Sequence, residues 1–277
     1  MRFLTRALAV LVVVALALAG AWAAVALPRV PSKDRHWAGD HARLARATFM
    51  GDSVRVHDVR DFRYTAETTY TAAWYDRTYH LRDLTSVWFI VTPFSTSFRG
   101  PAHTFVSFGF GDTTFVSISV EARREVGEVY GLVTGVLNDF EVAYIVGDER
   151  DLIARRALFD GGEAYLYPIR ATPEAMRQLF VDMLTRANAV QDRPEFYNTL
   201  TNNCTSNLID HVDRIAPGRV RSGIRTILPG YSDAVALSLG LIDAEGSIER
   251  VRARYVINGR ARRGTVDDSF SHRIRTP

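Results

Sequence analysis

The chain begins with apolar positions almost to the exclusion of polar ones. From Leu8 to Leu27 every residue is apolar or glycine, preceded by Arg2 and Arg6. A run of ~20 such residues crosses a bilayer core of ~30 Å as a helix, with the arginines left on the cytoplasmic side. A cleaved signal segment is the alternative reading: its apolar core ordinarily spans ~7–15 residues, and Ala21-Trp22-Ala23 and Ala24-Val25-Ala26 both offer small-residue cleavage patterns. Either way the remainder is exported. No cysteine lies beside the run, which excludes a lipoprotein anchor there.

After Pro28 the pattern turns polar as far as Ala47, as in a linker, and then alternates with the period of strands. Val54–Tyr64, Thr65–Trp74, Ser86–Val91, Glu141–Val146 and Glu163–Ile169 read as strands. Ala102–Phe110 and Thr113–Val120, separated by Gly111-Asp112, read as a hairpin. Helical spacing follows Asp148, which caps a helix through Leu152, Ile153 and Arg156 that ends at Gly161-Gly162. Thr172-Pro173-Glu174 starts another helix, with Met176, Leu179, Phe180, Met183 and Leu184 on its buried face. Leu208, Ile209 and Val212 mark a helix beginning at Cys204, and Asp233–Leu241 a last short one. The expected fold is α+β: an antiparallel-sheet core with packed helices plus an N-terminal transmembrane helix. Its expected divisions are 1–28 membrane anchor or signal segment, 29–47 linker, 48–245 catalytic domain and 246–277 basic tail.

Composition narrows the partners. With 47% hydrophobic and 23% charged residues over 277 positions, one globular domain of moderate size plus an extra segment is expected. The net charge is only +3, Lys33 is the sole lysine, and no basic block is interleaved with aromatics. A nucleic-acid partner is therefore not expected. Arg250, Arg252, Arg254, Arg260, Arg262, Arg263, Arg273 and Arg275 make the tail basic; it reads as a mobile solvated segment, with attraction to anionic headgroups as the sharper alternative. His36 and His41 lack the paired acid of a zinc helix. No repeat, phosphate loop or cofactor motif is present, so no cofactor or metal is expected.

The one cysteine carries the candidate chemistry. Polar residues crowd up to Cys204, so Asn203 reads as an N-cap and Cys204 as the first helical residue. There the helix dipole stabilises the thiolate, the nucleophilic form of the side chain. A buried structural thiol is the competing reading, whereas a disulfide within the chain is excluded. The hairpin brings His103 opposite or diagonal to Ser119, Val120 and Glu121. Ser119 and Glu121 share one strand face, and either could orient the His103 ring as a base. Against that, His103 can be a strand-start histidine with a structural role.

Several segments carry a family resemblance: Val59-Arg60-Asp61-Phe62-Arg63-Tyr64, His103-Thr104-Phe105-Val106-Ser107-Phe108, Ser119-Val120-Glu121-Ala122-Arg123-Arg124-Glu125, Asp148-Glu149-Arg150-Asp151 and Tyr197-Asn198-Thr199-Leu200-Thr201-Asn202-Asn203-Cys204-Thr205. In this order, over roughly residues 45–215, the chain resembles the Lnb N-terminal periplasmic domain family, named for bacterial envelope proteins linked to lipoprotein N-acylation. The resemblance implies a Cys–His pair, mapping onto Cys204 and His103. His103 preceding Cys204 resembles the circularly permuted papain-like (NlpC-like) branch, in which an Asn-Cys pair such as Asn203-Cys204 opens the nucleophile helix. Full-length Lnb is expected to continue into several membrane-spanning helices, but no apolar run after Leu241 is long enough to span.

Together these readings imply an envelope thiol acyltransferase or hydrolase. It would be held in the bacterial inner membrane by a single N-terminal anchor with its domain in the periplasm, and would work through a thioester on a membrane lipid or lipoprotein acyl substrate. Cys204 is the expected nucleophile and His103 the base, oriented by Ser119 or Glu121. The Cys204 N–H is expected to hold the oxyanion, assisted by Asn202, Asn203 or Tyr197. A cell-wall peptidase or amidase, and a non-catalytic envelope scaffold, are the alternatives, as is secretion after signal cleavage.

Overall fold

The computed structural model describes residues 2–95, 97–220 and 228–276. Helix α1 (Arg2–Ala26) is apolar or glycine from Ala7 onward, and most of the side chains of that stretch are exposed. Thr5–Ala26 is long and apolar enough to cross a membrane.

Beyond α1 the chain builds an eight-stranded sheet from β1 (Arg46–Met50), β2 (Ser53–Arg60), β5 (Trp74–His80), β6 (Leu84–Pro93), β7 (Ala102–Phe110), β8 (Thr114–Arg123), β9 (Glu141–Gly147) and β10 (Tyr165–Pro168). The order along its main path is β1-β2-β9-β8-β7-β6-β10, with β5 on β2. Every pairing is antiparallel except the single Arg60↔Gly147 bridge between β2 and β9. Two short strands, β3 (Arg63–Tyr64) and β4 (Tyr70–Thr71), form a separate ribbon. The strand expected over 65–74 is therefore mostly a turn, closed by the Thr65 N–H on the Thr69 carbonyl, and the extended run starts at Trp74.

Helices cover both faces. Helix α3 (Pro173–Asp192) and helix α4 (Cys204–Ile215) lie over the face formed by Val87, Phe89, Val106, Phe108, Val116, Ile118, Val142 and Tyr144. Helix α2 (Glu149–Leu158) and the C-terminal helices cover the other, against Ile90, Phe105, Ala143 and Ile145. Double coverage explains why all nine residues of β7 are buried. The helix starts follow their capping chemistry: the Asp148 carboxylate accepts from the Arg150 N–H, and the Thr172 hydroxyl from the Ala175 N–H with Pro173 in the first turn.

A buried ion pair locks the site-side end of the sheet. The Arg60 guanidinium makes a bidentate contact of 2.8 and 2.9 Å to Asp151, which also accepts the Phe62 N–H. Two segments of the sequence signature, around Arg60 and around Asp151, are thus one clamp between β2 and α2.

Two stretches differ from the sequence reading. The 29–47 linker is an ordered strap: Trp37 pairs with Glu125, and Trp37, Asp40 and His41 are buried. The 246–277 tail is folded rather than solvated, with helices Ile248–Tyr255, Asn258–Ala261 and Phe270–Arg275. Its arginines masked the reason. Ile257, Ala261, Phe270 and Ile274 join the apolar cluster beneath α2, and Arg275 pairs with the buried Glu149 carboxylate at 2.5 and 2.7 Å. Phe270 is 0% exposed. Phe270→Ala is expected to cost about 3–5 kcal/mol in urea unfolding; an unchanged midpoint would return the tail to a solvated state.

Candidate functional site

Cys204 is the first residue of α4, and its position is set by a capping box. The Asn203 side chain accepts the Thr205 and Ser206 N–H groups at 2.9 Å, and the Ser206 hydroxyl accepts the Asn203 N–H at 2.8 Å. Asn203 also donates to the Thr199 carbonyl at 2.8 Å, tying the loop before the helix to the helix itself. Asn202 is used in the same way: it donates to the Phe196 carbonyl and accepts from Asn207. Both amides are thus committed to holding the turn, and the Asn202 side chain does not line the cavity in which Cys204 sits.

His103 arrives from the opposite layer. Odd-numbered residues of β7 and β8 face α2, even-numbered ones face α3 and α4, and Phe105↔Ser119 is the first pair of the β7–β8 ladder at that end. Before it the strands part. His103, at the opening, reaches the cavity of about 690 Å³ that Cys204 lines from the other side.

Behind His103 runs a relay of hydrogen bonds. The Ser119 hydroxyl donates to Glu121 Oε1 at 2.9 Å, so its oxygen accepts from His103 Nε2 at 2.7 Å; Nε2 also lies 3.6 Å from Glu121. That places the ring proton on Nε2 and leaves Nδ1 with its lone pair. Both candidates for orienting His103 are therefore in the relay, with Ser119 in the middle.

Glu121 is buried in a low-dielectric setting that would raise its pKa, yet it is held well below the usual carboxylate range by His41, Arg156 and His103. His41 Nδ1 accepts the Arg124 N–H at 2.9 Å, so its Nε2 carries the proton toward Glu121 at 3.4 Å. Arg156 of α2 lies 3.5 Å from the same carboxylate. Neither His41 nor Arg156 was singled out from sequence for this site. Only their return in three dimensions from the strap and from α2 puts them there; the local sequence Asp40-His41-Ala42 carries no signal of it.

These surroundings act on the thiol. Burial alone would raise the Cys204 pKa, but the His103 ring, the Thr104 N–H and the Thr205 hydroxyl outweigh it and bring the thiol down to about 7. The Thr205 hydroxyl lies 3.8 Å from Sγ. Tyr197 lines the same cavity, packs edge-on against Tyr130 with centroids 5.8 Å apart, and has its hydroxyl at the Cys204 N–H; burial keeps that phenol protonated.

The cavity has two walls. His41, His103, Glu121, Arg124, Arg155 and Arg156 form a titratable one; Val129, Leu132, Val133, Val136, Leu137 and Leu200 form an apolar one. Among the described residues no group of three or more His, Cys, Asp and Glu side chains is arranged to hold a metal ion.

Residues 70–230, which include His103, Ser119, Glu121 and Cys204, match the Lnb N-terminal periplasmic domain family. The chain belongs to that family. No curated protein and no solved structure matches it. The family's periplasmic character and the apolar helix α1 fit a membrane-anchored periplasmic protein.

Because Cys204 is the sole thiol, iodoacetamide reports on it alone. The alkylation rate of the full chain is expected to rise with pH and to be half-maximal near pH 7, the value about which the thiol ionises. His103→Ala removes the main opposing influence and leaves burial, so its profile should move to about pH 8.5 or above. A profile indifferent to His103 would sever the pair. Ser119→Ala should move it in the same direction by less, since Glu121 still lies 3.6 Å from the ring.

Proposed function

We propose that this protein is an envelope thiol acyltransferase or hydrolase that works through a thioester on Cys204. The observation that carries this reading is the lowered thiol at the capped start of α4, sharing one two-walled cavity with a histidine whose Nε2 proton is directed at Ser119 and Glu121.

In this reading His103 Nδ1 takes the thiol proton and Cys204 Sγ attacks the carbonyl carbon of an ester or amide. The oxyanion meets the Tyr197 hydroxyl and the Cys204 N–H, which donates to that phenol oxygen in the resting site and turns to the oxyanion as it forms. As the tetrahedral adduct collapses, the C–O or C–N bond breaks and the leaving group collects the proton from His103. An amine or water then attacks the thioester, gives its proton to His103, and the thiolate leaves. Ser119 and Glu121 position the imidazole and stabilise its charged form; they do not touch the substrate. Asn203 and Asn202 hold the turn that presents the nucleophile.

The order of His103 before Cys204 supports kinship with the circularly permuted papain-like enzymes, which is analogy at the level of fold. The apolar cavity wall and α1 favour an acyl chain drawn from a lipid or lipoprotein in the bacterial inner membrane over a cell-wall peptide. The family's link to lipoprotein N-acylation points to an amine acceptor.

The test is intact-mass analysis of the full chain incubated with phospholipid vesicles. A hydroxylamine-labile acyl adduct on Cys204 is expected, absent in Cys204→Ala, and formed roughly 10²–10⁴-fold more slowly in His103→Ala. An adduct that persists without Cys204, or release of cell-wall peptides with no acyl adduct, would overturn it.

A further inference from the structure

The segment between β8 and β9 exposes a run of apolar side chains. Val126, Val129, Leu132 and Val133 point outward along it, Val129 being 81% and Val133 74% exposed. From Val126 to Asn138 the only charged residue is Glu128. Phe94 and Leu200, which line the same cavity, are exposed in the same way, at 53% and 61%. Exposed apolar side chains gathered around one opening mark a surface that meets another apolar phase.

The same segment is fastened to the end of α1. The Trp22 indole N–H donates to the Val136 carbonyl at 2.8 Å, the Asn138 amide to the Ala26 carbonyl at 3.3 Å, and Arg29 to the Leu137 carbonyl at 2.9 Å. Arg29 also pairs with Asp139. Trp22 and Arg29 bracket the point where an apolar span gives way to polar chain, the level at which aromatic and cationic side chains sit in a membrane interface. Where α1 spans a bilayer, a segment bonded to that point lies at its surface. Behind it, the Gly135 carbonyl accepts the Thr199 N–H at 3.0 Å, and a side chain at Gly135 would collide with the Thr199 hydroxyl, so the rim is packed onto the loop that leads to Cys204.

We infer that the apolar rim formed by Val129, Leu132, Val133, Phe94 and Leu200 inserts into the leaflet of the membrane that α1 spans, on the side facing the domain, and opens the Cys204 cavity directly to that leaflet. An acyl chain then enters sideways along the apolar wall without crossing water. Burying each such side chain contributes in proportion to the area removed from water, and the neutral segment carries almost no charge to desolvate. The lateral entry deepens the thioester reading and rests on it; the insertion itself does not.

The experiment places an environment-sensitive NBD label on single cysteines introduced by Val129→Cys, Val133→Cys or Phe94→Cys in the full chain carrying Cys204→Ser. The chain is reconstituted into phosphatidylglycerol/phosphatidylethanolamine nanodiscs, with Asp112→Cys as the control. Asp112 sits at the far turn of the β7–β8 hairpin, at the opposite end from His103. Rim labels are expected to emit at shorter wavelength than the control and to be quenched severalfold more by doxyl-labelled lipid. Rim labels as wet and as weakly quenched as the Asp112 label overturn the proposal. So do rim labels that are dry yet unquenched by lipid, which would mean contact with a second copy of the chain. Cys204 alkylation in the otherwise unaltered chain is read separately: quenched rim labels with an inert thiol would leave the insertion standing and the thioester reading refuted, and the reverse pattern would do the opposite.

Discussion

A buried, ionised carboxylate organises this molecule. A lone charge in a protein interior carries a penalty of several kcal/mol that only close partners offset. Glu121 has four groups against it, drawn from four parts of the chain: His41 from the strap, Ser119 from its own strand, His103 from β7 and Arg156 from α2. Satisfying that one charge requires the strap to lie alongside the end of β8, α2 to lie against the sheet and the open end of the hairpin to stay ordered. The thiol is reached through the same group, since Glu121 holds Ser119, Ser119 holds His103, and His103 draws down the Cys204 pKa against burial.

The layers divide the work. The face under α3 and α4 is apolar and gives the domain its largest continuous core, with Cys204 at its margin. The face under α2 carries Ser107, Ser117, Ser119 and Glu121 in alternation along two strands; Ser107 is partnered from far away in sequence by Glu149, and Glu149 by Arg275, whereas the Ser117 hydroxyl has no hydrogen-bond partner among the described residues. The ladder between β7 and β8 stops at Phe105↔Ser119, so the cavity lies where the two faces meet. A nucleophile from one layer and a base from the other can approach only there.

The position of the cavity relative to α1 follows from the same end of the sheet. The chain leaving β8 must pass the strap and the cavity before returning as β9, and it does so as a nearly neutral, apolar segment hydrogen-bonded to the end of the span. The end of α1, this segment and the site are consecutive neighbours in space. In the proposed chemistry, this arrangement lets a membrane-derived chain and a periplasmic acceptor meet at one thiol from opposite directions.

Local chemistry was sufficient for much of this. Asp148, Thr172 and Asn203 act as caps because a short polar side chain before an apolar helical stripe has few better uses, and the start of α4 at Cys204 follows from that rule. The hairpin and the diagonal meeting of His103 with Ser119 and Glu121 follow from a short turn and the two-residue period of a strand. Tertiary structure decided what no period encodes. It brought His41 and Arg156 to Glu121, turned Asn202 inward to brace its own loop, and folded the arginine-rich tail because four apolar residues there had a surface to bury against. The reason is the same in each case: caps and turns are settled by neighbours a few residues apart, whereas the partners of a buried charge or an isolated apolar side chain are chosen by whichever distant segment the packing delivers.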